Sequence, residues 1–547
     1  MYCDNNKRFI YLLGHVFNHF ASVANHLKPG LSLLVRRPFV LLLIYAIAII
    51  GVCPLAHAQS REAQIIERTV AAYGGEHLLT LPGISVSETW YHYSQWLSGH
   101  ALQGPMVIYL SELQNDYRID FVAQRKVFKQ ANSRLVGSHG SDAPEVIHRF
   151  FSGKKGASID HALQRFQHSS RITFDNTTLG YEAMLDTLIV RKLAQLKQPS
   201  QWLDTAYIAG VPHDVIAAPL DGKAQTRYTL YLNQNNGLLS RVMTEQQGKK
   251  RFYDFMAHST SGAIRWASQV LVSTADGAQY HSKARTVSVA RPVDTSFQIP
   301  ADYQRAPTVT PFDVSQLTVR ELATGVYIVG QDWGYSLFFD AGDYLISAGT
   351  WQMNEQAGAG TGAWAKALAR LRHSTSLSKP VKYHIVTHHH TDHLRGLRDT
   401  LAENTILLVH PADKNAVAEA LGPHVRIETI PASYTLAGGK IRLLDVPNSH
   451  AAHNLVVYLS EPQILLTEDM FGSSFEQALH SPARWPDLDT YYRLDALVER
   501  LNEQGIKVAQ YVSSHHGKVL TQADIERAMA MPRTERPVLL QRLFEGK

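Results

Sequence analysis

The chain reads as two structural classes in series: an antiparallel β-rich (α+β) unit, then a layered α/β unit. Three observations predict this. Between Ile84 and Leu232 the apolar residues fall in short runs rich in β-branched and aromatic side chains. Pro300, Pro307 and Pro311 then crowd residues 299–313, and proline removes amide donors and breaks regular structure. Beyond them, helical periodicities alternate with strand patterns, the rhythm of helices laid on a sheet. The expected units are 59–310 and 311–547, with the boundary near Thr310, preceded by a leader over 1–58.

In the leader, Arg36-Arg37 precedes the apolar run from Phe39 to Val52, which ends at Pro54-Leu55-Ala56-His57-Ala58. This is the pattern of a secretory signal cut after Ala58, so the mature chain is expected in the periplasm or secreted. The run is short for a permanent anchor, and membrane contact is expected only if the leader stays uncut. Cys3 and Cys53 are the only cysteines of the 547 residues, and both fall in the leader. A metal in the mature chain must therefore be held by His, Asp or Glu. Hydrophobic content of 45% against 18% charged residues supports sizeable cores. The net charge of +5 is scattered, which argues against a nucleic-acid footprint.

The β-rich unit opens with a helix over 63–73, ended by Gly74-Gly75, since glycine takes the left-handed conformation that stops helices. Strands are expected at 84–87, 106–110, 117–121 and 228–232, with a turn at Asn233-Gln234-Asn235-Asn236-Gly237 and a helix over 183–196. Together these describe a large curved sheet with helices on one side. His92, His139, His213 and His258 lack ligand spacing and are expected at the surface or in single hydrogen bonds. The strand rhythm and the phrases Ala71-Ala72-Tyr73-Gly74-Gly75 and Val293-Asp294-Thr295-Ser296-Phe297-Gln298-Ile299-Pro300 resemble the periplasmic lipoprotein-carrier half-barrel. That resemblance implies an apolar concavity able to hold an acyl chain; the alternative is a scaffold that positions or shields the second unit.

In the second unit strands are expected at 326–329, 336–339 and 344–347, then a helix over 363–372. Further helices are expected at 394–402 and 411–421, and strands at 405–409, 440–446, 454–459 and 463–466. Leu494, Leu497, Val498 and Leu501 recur at i, i+3, i+4 and i+7, one buried helix face. The organising stretch is Thr387-His388-His389-His390-Thr391-Asp392-His393, directly after the strand pattern Tyr383-His384-Ile385-Val386. Neutral imidazoles and a carboxylate crowded at a strand end suit a borderline metal such as zinc. Later strands end in Ser449-His450-Ala451-Ala452-His453, Glu468-Asp469 and His515-His516-Gly517. Ligands at the ends of neighbouring strands converge on one rim of a sheet. His389 is expected to point away from that rim by side-chain alternation, to the surface or to a place behind the ligands. His384 and His410 read as core or edge histidines with one hydrogen bond, and Tyr491 and Tyr492 as core packing or the pocket mouth.

His388-x-His390-x-Asp392-His393, followed in order by His450, Asp469 and His516, resembles the metallo-β-lactamase superfamily of hydrolases from about Gly325 to Lys518. The resemblance implies an αβ/βα sandwich with two zinc ions at its edge. His388, His390 and His450 would hold the first, Asp392, His393 and His516 the second, and Asp469 would lie between them. The family register favours His450 over His453, and Gly517 favours His516 over His515. Two departures stand out: Ser347 replaces an acidic residue common at an early strand end, and of the glycine pair after the motif only Gly396 is kept.

The implied activity is hydrolysis of an ester, thioester, lactone or amide of a small, acyl-containing molecule by a zinc-bound hydroxide, with Asp392 orienting it and passing a proton. β-Lactamase activity proper is a narrower alternative. A non-enzymatic lipid binder with a structural metal is another, although structural zinc sites close with four ligands. Flavin-linked di-iron chemistry is disfavoured, since the superfamily's di-iron branch carries glutamate where His390 stands. Nuclease activity is disfavoured too, because the gap from Asp469 to His516 leaves no room for the inserted domain of the nucleic-acid branches. Sequence gives no oligomeric state.

Overall fold

Among the described residues the β-rich half builds one sheet of fourteen strands between Gly83 and Arg305. The computed structural model describes residues 60–104, 106–136, 145–220, 227–308, 313–332, 334–351, 362–471, 488–515 and 517–545. The leader, the expected boundary at Thr310, His139 and the candidate ligand His516 lie outside them. From Gln64 onward the chain forms one compact unit.

The sheet is laid down in two directions from its first hairpin, β1 (Gly83–Leu97) and β2 (Met106–Asp120). On the β2 side the strands follow in chain order to Arg165–Ser169, and the two-residue strand Gln304–Arg305 adds in parallel at that edge. On the other side Gly277–Ser288 pairs with β1, and the chain runs backward to Gln201–Ile208 at the far edge. The helices Arg61–Ala72 and Asp186–Ala194 bury Ile65, Ile189 and Val190 in one core with sheet residues Trp90, Leu113, Tyr117 and Val270.

Sequence reading split β2 into two strands, but it is one strand of 15 residues. The reason is a polar row across the middle of the core, where alternation alone would demand apolar side chains. Arg285, Glu88, Asn115 and Gln130 sit opposite one another on four adjacent strands. Arg285 Nε donates to Glu88 (3.0 Å), Asn115 Nδ2 to Glu88 (3.2 Å), and Gln130 Nε2 to Asn115 (2.9 Å) and to Tyr181 Oη (2.8 Å). All four are buried. The buried face of the sheet therefore carries a hydrogen-bonded polar ladder among its apolar residues.

From Thr318 onward two sheets face each other. One contains seven strands from Thr318–Ala323 to Ile427–Thr429, and its later neighbours are parallel. The other contains six, from Ser433–Leu436 to Leu520–Thr521. Between them Ile328, Leu337, Ile385 and Leu408 of the first pack against Leu443, Val457, Leu466 and Val512 of the second. Outside the first sheet, helix Ala363–Thr375 buries Trp364, Leu368 and Leu371 against Phe338 and Val381. Outside the second, helices Leu488–Glu503 and Gln522–Met529 bury Leu494, Leu497, Leu501 and Ile525 against Leu444, Val456 and Leu465. Tyr491 belongs to that core, whereas Tyr492 is half exposed. Helix, sheet, sheet, helix is the αβ/βα sandwich that the sequence leads one to expect.

Candidate metal centre

The candidate ligands stand where strands of the sandwich stop. Strand Val381–Ile385 ends just before Thr387–His390, and His390 begins the short helix Thr391–Gly396 with extended backbone (φ −67°, ψ 145°). That turn points Asp392 and His393 back over the strand end. Thr387 accepts the Leu455 amide (2.8 Å), which ties this loop to the second sheet. His450 follows strand Ile441–Asp445, with its amide held by Asn448 Oδ1 at 2.7 Å. Asp469 follows Ile464–Leu466, and His515 follows Gln510–Val512.

Two groups of ligand atoms result: His388, His390, His450 and Asp469, then Asp392, His393, Asp469 and His515, each within 4.8 Å. Asp469 belongs to both. Its Oδ2 lies 3.2 Å from His450 Nε2, 3.1 Å from His393 Nε2 and 3.9 Å from His388 Nε2, while its Oδ1 lies 2.5 Å from His515 Nε2. His388 and His450 present their Nε2 atoms 3.2 Å apart. Ligands about 2.0–2.1 Å from a tetrahedral ion stand roughly 3.3 Å from one another, so these spacings fit a zinc-sized ion. Asp392 Oδ1 is buried without a hydrogen bond among the described residues, which also fits a cation.

Electrostatics divides the histidines. Burial pushes His388 well below the ordinary imidazole range, helped by His393 and His450, and it lowers His450 as well. Both keep the lone pair that a ligand needs. Burial also opposes charge on His393 and His515, but Asp469 and Asp392 outweigh it and raise both. Burial opposes charge on Asp469 in turn, yet His393 and His515 hold it well below the usual carboxylate range. The field around Asp469 is one that a bound dication would satisfy.

Among the described residues the histidine brought to the second group is His515; His516, which the sequence favours, lies outside them. His515 Nε2 lies 3.8 Å from Asp392 Oδ2. His389 stays outside both groups, as expected, and is buried behind them: its Nε2 lies 3.0 Å from Ser98 Oγ and from the Ser98 carbonyl, and its Nδ1 3.4 Å from Asp413. Ser347 bonds His384 Nδ1 (2.8 Å), so this position serves a core histidine and not the ligands. His213 is buried with two contacts, Val211 O and Ser240 Oγ, each at 2.8 Å, and His258 lies against Tyr73 (3.2 Å) and Asp186 (3.1 Å).

Glu468 was passed over by sequence reasoning. It is buried beside Asp469, takes a left-handed backbone (φ 51°), and places Oε1 2.9 Å from His393 Nδ1. His393 Nδ1 also lies 2.7 Å from the Thr350 carbonyl, which fixes its tautomer and orientation, and the Glu468 carboxylate stands beside that bond. The signal was an acidic residue beside a predicted ligand. Two glycines have steric causes: a Cβ on Gly517 would meet the Tyr335 ring at 2.5 Å, and one on Gly396 would meet Thr350 at 2.8 Å. His410, Asp445 and His453 form a third group. There His453 Nδ1 lies 2.9 Å from Asp445, and the two rings stack at 3.8 Å. His410 Nδ1 accepts the Ala412 amide (3.3 Å), so its proton sits on Nε2 and faces Asp445 as a donor instead of a ligand.

No protein-family model matches the chain, and no curated protein matches it in sequence. Solved structures match the sandwich. A metallo-β-lactamase from Pontibacter korlensis aligns at 21% identity and TM-score 0.32, covering 40% of this chain and 100% of its own. The metallo-β-lactamase FIM-1 from Pseudomonas aeruginosa, in its mono-zinc form, aligns at 18% identity and TM-score 0.30, over 41% and 96%. A chain from Nostoc sp. described as a diflavin flavoprotein aligns at 16% identity and TM-score 0.31, over 42% and 98%.

Proposed function

We propose that the protein is an exported hydrolase that holds two zinc ions and cleaves an ester, thioester, lactone or amide bond in a small molecule. The observation that carries this reading is Asp469, a single buried carboxylate shared by two sets of ligand atoms. A closed structural site needs four ligands and no bridge, whereas paired sites with a shared carboxylate suit two-ion chemistry. His388, His390 and His450 would hold one ion and Asp392, His393 and His515 the other.

When bound, zinc supplies a lowered water pKa, near about 7, and polarises a carbonyl oxygen. The chain's own residues do the rest. Burial keeps His388 and His450 neutral and ready as ligands. Arg493 donates to the Asp469 carbonyl (3.2 Å) and fixes the bridging residue from behind. Asp392, partly exposed and with one buried oxygen open, can orient a water and take a proton beside the second ligand set.

The test is a hydrolysis panel of esters, thioesters, lactones and lactams, run on the purified chain alongside elemental analysis. We expect two zinc ions per chain and turnover in at least one class that a chelator removes. His388→Ala should cost at least about a hundredfold in kcat/KM and weaken metal binding. Full metal content with no turnover in any class, or unchanged turnover in His388→Ala, would reject the reading.

A further inference from the structure

We propose that the tip of the β1–β2 hairpin positions the ligand loops of the metal centre through the main chain of Ser98 and Gly99, making the β-rich half a working part of that centre. This rests on reading the cluster as a metal centre and adds which distant segment holds it in shape. The Ser98 carbonyl lies 3.0 Å from His389 Nε2 and 2.8 Å from His390 Nε2. The Gly99 carbonyl accepts the amide of Ala452 at 2.7 Å, two residues past His450. One dipeptide therefore ties the loop of His388 and His390 to the loop of His450, and these supply all three histidines of the first ligand group.

The clamp is anchored at its own end. Ser98 Oγ donates to the His100 carbonyl (3.1 Å) and contacts the Gly104 carbonyl, which closes the tip on itself. Ala101 packs against the cluster of Val386, Leu394 and Leu397 that underlies the metal loop. Burial follows the clamp: Ser98, His388 and His390 are all 0% exposed, while Asp392 and His515 on the far side of Asp469 are partly exposed. His390 can donate from Nε2 to the Ser98 carbonyl and present the lone pair of Nδ1 to an ion. The same carbonyl lies 3.0 Å from His389 Nε2, and Asp413 braces His389 from behind. His389 is thus a positioning residue that need not touch the ion.

The clamp is made of main-chain atoms, so its test replaces the tip. Leu97 and Met106 are the last pair of the hairpin, and a two-residue Asn-Gly turn can join them in place of 98–105. Zinc affinity and stoichiometry are read by competition with a chromophoric chelator, and the fold by circular dichroism and thermal melting. We expect a native-like fold with zinc affinity at one site lowered about tenfold or more, the scale on which residues behind metal ligands act. Ser98→Ala keeps the carbonyl but loses the Oγ contacts to His389, His100 and Gly104, so its loss of affinity should be clearly smaller than that of the shortened hairpin. Wild-type affinity in the shortened hairpin would overturn the proposal, as would a loss in Ser98→Ala as large as that in the shortened hairpin. If the shortened hairpin does not fold, His389→Ala decides: weaker zinc binding at full stoichiometry supports the clamp, and unchanged affinity rejects it. A wild-type chain that binds no zinc would instead sink the metal reading itself.

Discussion

Glu468 shows what a single side chain can do behind the candidate metal ligands. Holding φ at 51° in a buried non-glycine residue costs energy, of order 1–3 kcal/mol, and the return is a carboxylate 2.9 Å from His393 Nδ1. Glu468→Gln keeps the shape but loses the charge, so we expect zinc affinity to fall about tenfold to a hundredfold with the melting temperature little changed. An unchanged affinity in a chelator competition would remove Glu468 from the centre. That His388, His390, Asp392, His393, His450 and Asp469 come together was legible because metal chemistry restricts residue types and each candidate ligand follows a strand. What the sequence does not show is orientation within loops: His389 turns to Ser98 and Asp413, and the Gly517 requirement comes from the Tyr335 ring. Contacts from residues nearly three hundred positions away, such as Ser98, leave no local trace in sequence.

At the scale of elements, helices and strands of the sandwich were readable because their apolar periodicity matches what they bury, as in Leu494, Leu497 and Leu501. The great sheet was less so, because its middle is held by a ladder of polar residues. Glu88 and Arg285 form a fully buried ion pair, Nη2 to Oε2 2.9 Å, and Asn115 and Gln130 extend it over four strands. A pair of this kind contributes little net stability over apolar residues, but removing one partner strands the other charge. Glu88→Ala should therefore destabilise the β-rich half by about 3–5 kcal/mol, and a double replacement of Glu88 and Arg285 by apolar residues should recover much of that. Urea denaturation of the two variants is the measurement. Equal loss in both would mean the ladder acts through shape and not charge.

For the whole molecule, the response to acid is set by buried groups of opposite sign. Burial pushes His161 and His384 down to about 3, so both stay neutral in the folded chain while the unfolded chain protonates them near 6.5. Stability from these histidines is full above about 6.5 and is lost as pH falls toward 3. Burial acts the other way on Asp160, raising it to about 6. A carboxyl with a raised folded pKa adds stability below its unfolded value, near 3.8, and loses it as pH rises through 6. Two histidines each shifted by more than three units outweigh one aspartate shifted by about two, so the net trend is loss of stability on acidification. Asp160 accepts the amides of Ala162 and Leu163 through the same oxygen, Oδ1, which asparagine retains. Asp160→Asn should thus be more stable than wild type at pH 7.5, by about 3 kcal/mol, and indistinguishable from it near pH 4. Denaturant midpoints at the two pH values check both signs at once. A wild-type midpoint that rises on acidification would show that the buried histidines do not govern the response, and a variant advantage at pH 4 would show that Asp160 is not buried as a charge.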